Sequence, residues 1–165
     1  MSAKRIWTLA CLLLIAALFV PAQAAGGVPN AIDSGVWHGG HCQGIAVDRE
    51  NGFIYYSFTT ELVKTDLQGN LIGSVTGLLG HLGCIDFCDR DGRLYGSLEY
   101  KRDAIGQNIL ERLGSDAELE DAFYIAIFDA DRINRENMDA TSDGVMTAVY
   151  LKEVVDDYSA TVQNG

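Results

Sequence analysis

Short runs of alternating apolar and polar residues, broken by glycine-containing turns, fill the chain from Gly40 onward, and the pattern occurs twice. Ile45 and Val47 alternate with smaller or polar neighbours, the period-two signature of a half-buried strand. Asn51-Gly52 follows, a dipeptide that supplies the positive φ of tight hairpin turns, and Phe53-Ile-Tyr-Tyr-Ser57 returns as a second strand. A shift of 40 residues without a gap brings Gly40, His41, Ile45, Gly52, Tyr55 and Ser57 onto Gly80, His81, Ile85, Gly92, Tyr95 and Ser97. Asp91-Gly92 is then the second hairpin turn, and Arg93-Leu-Tyr-Gly-Ser97 the second return strand. A period near 40 residues marks a repeat architecture.

The first unit continues with a strand at Leu62-Val-Lys-Thr-Asp66, a turn at Gln68-Gly69-Asn70 and a fourth strand at residues 71–75. In the second unit the matching third strand, Ile125-Ala-Ile-Phe-Asp129, lies 63 residues on instead of 40, so 23 extra residues separate its second and third strands. This insertion, residues 100–122, reads as helical. Ile105, Ile109, Leu110 and Leu113 recur at helical spacing, Gly114 stops the run, and Ser115 with Glu118 makes a capping box for a second short helix. Residues 130–142 read as a polar loop or helical turn, Asp143-Gly144 as a turn, and residues 145–151 as the fourth strand. The expectation is an all-β chain of two four-stranded antiparallel blades, residues 41–76 and 81–151, packed face to face with Ile45, Val47, Ile85 and Phe87 between or within them.

The beginning of the chain has another pattern. Lys4 and Arg5 precede an apolar run over residues 6–20, Pro21 ends it, and Ala22-Gln23-Ala24 is a small-x-small cleavage site, together a secretory signal peptide over residues 1–24. The run is shorter than the roughly 20 apolar residues of a membrane span, so no span is expected after cleavage. Residues 25–39, punctuated by Gly and Pro, form a lead-in with a short strand expected at Gly35-Val36-Trp37. Removing Lys4 and Arg5 with the leader takes the net charge from −11 to −13. That acidity, without any basic run, argues against a nucleic-acid partner. Glycine at 18 of 165 residues suits a turn-rich β protein.

The units resemble a blade of the six-bladed propellers, the NHL, SMP-30/gluconolactonase and strictosidine-synthase-like superfamily. The residues that carry the resemblance are His-Cys-Gln-Gly-Ile-Ala-Val-Asp, then Gly-Phe-Ile-Tyr-Tyr-Ser and Leu-Val-Lys-Thr-Asp-Leu-Gln-Gly-Asn, and it extends over residues 40–151. It implies an incomplete, N-terminal portion of such a propeller, since two blades do not close a ring. Enzymes of that superfamily bind calcium through Glu, Asn and Asp, and no position here matches those ligands by motif.

The candidate site residues follow from where the repeat places them. His41 and His81 stand at equivalent positions before the innermost strand, and the 100–122 insertion opens at the same end. Such histidines can ring a channel and hold a divalent metal ion or an anionic ligand, or they can cap the link between blades through backbone hydrogen bonds. Asp86 replaces Ala46 of the first unit. On an inner strand a carboxylate is costly unless paired or metal-bound, so it reads as a metal ligand, an acid/base group, or a structural hydrogen-bond acceptor. Asp48, Asp66 and Asp129 read as turn formers. Cys42, Cys84 and Cys88 are either small core residues or include a Cys42–Cys84 pair. Two functions fit: an extracytoplasmic propeller that binds a small molecule, carbohydrate or protein at its top face, and a metal-dependent hydrolase or lyase of the lactonase kind.

Overall fold

A computed structural model describes residues 29–162 of the chain. The expected leader over residues 1–24 and its cleavage site lie outside the described residues. The chain forms two antiparallel sheets with a small helical part, as the two-unit pattern predicts. The first sheet holds β1 (Cys42–Asp48), β2 (Phe53–Phe58), β3 (Glu61–Asp66) and β4 (Leu71–Thr76), each paired with the next. The second holds β5 (His81–Cys88), β6 (Arg93–Tyr100) and β7 (Ala122–Asp129), completed by β9 (Met146–Tyr150). The two sheets do not close on themselves.

The turns form for the reasons the sequence suggests. Asp48 accepts hydrogen bonds from the Asn51 backbone N–H (2.9 Å) and side-chain amide (2.8 Å), and Gly52 takes φ 76°. Asp66 does the same at the β3–β4 turn, accepting from the N–H groups of Gln68 (2.8 Å) and Asn70 (2.9 Å). The insertion contains α1 (Ala104–Leu113), capped by Asp103, whose carboxylate accepts from the N–H groups of Ile105 (2.9 Å) and Gly106 (3.1 Å). Gly114 ends it in the left-handed region at φ 61°. The second short helix does not form. Ser115 accepts one bond from Ala117 (3.3 Å), and the chain then runs without regular structure to β7. Too few residues separate Ser115 from β7 to offset the cost of starting a helix. After β9 comes α2 (Lys152–Val162), whose Tyr158 ring meets Phe123 edge-on at 5.3 Å.

The core lies between the sheets. Ala46, Tyr55, Leu62 and Val75 of the first face Leu82, Ile85, Leu94, Leu98, Ala126 and Phe128 of the second. Tyr55 stacks on Phe87 with centroids 5.8 Å apart and planes 10° from parallel. Two hydrogen bonds pin the junction: Leu82 N–H donates to the Thr59 carbonyl (2.8 Å) and Ser57 Oγ to the Gly83 carbonyl (2.7 Å). Lys64 is buried in the same layer, 4.1 Å over the Phe53 ring, and its Nζ donates to the Ala130 carbonyl (2.8 Å).

Two expectations differ from the structure. Ile45 and Val47 do not lie between the sheets; they are 59% and 40% exposed, while Ala46 between them is buried. The reason lies in the repeat. Ile85, the equivalent of Ile45, is 8% exposed because the first sheet packs against that face of the second. Among the described residues the corresponding face of the first sheet meets the lead-in, whose Ile32 and Trp37 pack on Ile54, Tyr56, Phe58 and Val63, while Ile45 and Val47 of β1 stay exposed. Second, Gly35-Val36-Trp37 is not a strand. Gly35 turns at φ 81°, and the Trp37 ring lies 6.3 Å from that of Phe58. Residues 130–142, read as a polar loop or helical turn, form the helical turn and a short strand besides. They hold a 3-10 turn (Ala130–Arg132) and β8 (Met138–Asp139), which adds to β4 of the first sheet in parallel. A bare β4 would present unpaired backbone groups, and this strap from the second unit covers them.

Candidate ligand-binding end

Strand direction sorts the connections to two ends. At one end lie the starts of β1 and β5, the β2–β3 turn and the β6–β7 connection with α1. The hairpin turns at Asn51-Gly52, Gln68-Gly69 and Asp91-Gly92 lie at the other. His41, His81 and the insertion are therefore at one end, as the repeat pattern predicts.

His81 is half-buried, and its Nδ1 lies 3.9 Å from Glu99 Oε1, while Lys101 Nζ lies 3.4 Å from the other carboxylate oxygen. One glutamate thus serves an imidazole and an ammonium. These groups line a small pocket closed by Ile105, Gly106 and Ile109 of α1. Gly106 is required there, because a Cβ would run into the Lys101 carbonyl. His41 is exposed. The residue before it, Gly40, takes φ 103° against the Thr59 side chain, and a Cβ built on it would lie 3.5 Å from Arg112 Nη1. The far end of α1 therefore reaches the entrance of β1, and its start covers the entrance of β5.

A second, more open cleft occupies the same end. Trp37, His38 and Gly39 form one wall, Arg112 and Leu113 of α1 another, and Glu136 and Asn137 of the strap a third, with Thr60, Glu61 and Thr76 also lining it. Glu61 is 6% exposed. Burial pushes its carboxyl above the usual range, opposed by the Gly39 N–H, the Ser74 hydroxyl and the charge of His38. Asn137 has φ 55°, the one positive value at a non-glycine residue among those described, and its N–H donates to Ser74 Oγ (3.0 Å). Arg112 Nη2 lies 3.5 Å from Thr60 Oγ1.

Asp86 stands apart from both histidines. It lies five residues along β5 from His81, about 16 Å at ~3.3 Å per residue, on the outer face of the second sheet. It is exposed, so the cost expected of a carboxylate on an inner strand does not arise. His41, His81 and Asp86 do not converge, and among the described residues no group of three or more His, Cys, Asp or Glu is arranged to hold a metal ion. The cysteines do not fill the core: Cys42 and Cys84 are exposed, Cys88 is partly so, and all three are free thiols.

Sequence reasoning missed Trp37, Glu61 and Arg112. Glu61 gave a faint signal, as a charged residue opening the apolar run Leu62-Val63. Arg112 gave none, because only the docking of α1 brings it to the first sheet. Comparison of the chain with family models, with curated proteins and with solved structures finds no match.

Proposed function

We propose that the chain is an exported domain of two β-propeller-type blades that binds a small ligand at the end carrying His41, His81 and α1. The observation that carries this reading is the docking of the insertion. α1 lies in the largest departure from the repeat, and it spans the entrances of both innermost strands, closing a pocket over His81 and bringing Arg112 to Gly40 and Thr60. Insertions in repeat folds tend to gather on the binding face. The blade reading draws on two antiparallel four-strand units of matching order, packed through β1 and β5. The export reading draws on the leader pattern of residues 1–24.

The test takes the full mature chain and screens small carboxylates, neutral sugars and lactones by thermal shift, then repeats the hits with His41→Ala, His81→Ala and the double variant. Binding lost in the double variant, with the melt retained, is the expected result. Binding unchanged in a folded double variant would remove the histidines from the site. Lactone hydrolysis that stops on chelation would replace this reading with the hydrolase one.

A further inference from the structure

We propose that the cleft between Trp37-His38 and Arg112-Leu113 is a pocket for a small carboxylate with an apolar body, Arg112 being its anchor. This rests on the reading of this end as the ligand-binding end, and adds the pocket and the ligand chemistry. Among the described residues Arg112 lacks an acidic partner, in an acidic chain. The chain holds 23 acidic residues against 12 basic ones. Nearby cations are paired with them: Lys101 with Glu99, Arg102 with Asp121, Arg135 with Asp143. Among the described residues no carboxylate pairs with Arg112, whose side-chain contact is the Thr60 hydroxyl at 3.5 Å, the far limit of a hydrogen bond. A guanidinium fork in that condition keeps two parallel N–H donors for a planar carboxylate.

The helix that carries Arg112 is held in place. α1 is fixed by the Asp103 cap at one end, by Gly114 at the other, and by Ile109 and Leu110 buried beneath it. The cleft also has an apolar rim. Val36 is 95% exposed and Leu113 41%, on walls either side of the cleft. Trp37 donates its indole N–H to the Ser34 carbonyl, so its polar edge is occupied; its ring packs on the Phe58 cluster and, being only partly buried, also lines the cleft. A cation flanked by exposed apolar groups in a concave site suits a ligand with one charge and a nonpolar remainder. Two acids also line the cleft. Glu61 is buried, which pushes its carboxyl above the usual range, and Glu136 is exposed on the strap wall.

The experiment is calorimetric titration of the full mature chain with benzoate, with benzyl alcohol as the neutral counterpart and inorganic phosphate as the anion without an apolar body. Benzoate should bind at least about tenfold more tightly than either, the size of one good charge-assisted contact. Arg112→Gln should abolish that preference and Arg112→Lys should keep only part of it, with the melting temperature of each showing that the fold is retained. Equal binding of phosphate and benzoate would overturn the apolar part of the pocket. No benzoate binding at millimolar concentration would overturn the inference as a whole, while the wider reading would still be judged on the neutral sugars and lactones of its own screen. Benzoate binding lost in the His41→Ala, His81→Ala double variant but intact in Arg112→Gln would place the ligand at this end and outside this cleft.

Discussion

Gly44 lies against the backbone of the second sheet, and replacing it by alanine probes that junction directly. A Cβ built on Gly44 would lie 3.0 Å from the Ile85 backbone nitrogen, 3.1 Å from the Cys84 Cα and 3.1 Å from Ser57 Oγ. Two of these three neighbours are backbone of the opposing sheet, so relief requires the sheets to part by a few tenths of an ångström. Overfilling a packed site costs about 1–3 kcal/mol. Gly44 takes no positive φ, so the lower unfolded-chain entropy of alanine returns about 0.4–1 kcal/mol. The net cost is at most about 2.6 kcal/mol and about 1.3 kcal/mol at the midpoints of the two ranges, which for a chain of this length lowers the melting temperature by roughly 3–5 °C. The control is Ile45→Thr, one residue on and facing solvent, which should change stability by no more than about 0.5 kcal/mol. Both variants are compared with the parent by urea and thermal unfolding followed by circular dichroism. A neutral Gly44→Ala together with a destabilising Ile45→Thr would mean that β1 presents its other face to the second sheet, and the packing described here would be wrong.

Two further outcomes follow from single residues. Glu61 has a folded-state pKa raised above its ordinary 4.5, chiefly by burial, so the native state holds its proton more tightly than the unfolded chain. Its stabilising contribution is full below pH 4.5 and is lost as pH rises through the folded value. Glu61→Gln should therefore gain stability relative to the parent between pH 4 and pH 8, read as melting temperature against pH; a difference that stays flat or shrinks would contradict the burial of this carboxyl. Asp103→Ala removes the cap of α1 and should cost about 1 kcal/mol, seen as faster amide hydrogen exchange across residues 105–113, with unchanged exchange counting against the cap.

The parts of the fold legible in the sequence are those fixed by local chemistry. Asn51-Gly52 and Asp91-Gly92 specify hairpins because positive φ costs glycine nothing, and Asp48 and Asp66 read as turn formers because their carboxylates reach N–H groups a few residues on. The helical spacing from Ile105 to Leu113 marked α1. Features that depend on what lies opposite were not legible. Alternation at Ile45, Ala46 and Val47 defines two faces without saying which one a neighbour covers, and the covered side proved to be that of Ala46. β8 has two residues and no periodicity to detect; it exists because β4 offers an open edge. At the site, the shared end of His41, His81 and α1 could be worked out from the repeat and the 23 extra residues. The cleft could not, since Trp37, Glu61 and Arg112 come from the lead-in, the first sheet and the insertion and share no pattern in the sequence. Asp86 shows the reverse error: its departure from the repeat was visible, but it faces solvent.

The most direct test of the ligand-binding end is a map of backbone amide chemical shifts in the isotopically labelled mature chain, recorded with and without benzoate. The account predicts changes that rise saturably and cluster at residues 36–41, 59–61, 80–81, 104–113 and 136–137, the segments that meet at the end carrying α1. Saturable changes confined to the opposite end, at residues 48–52, 66–70 and 88–92, would contradict it.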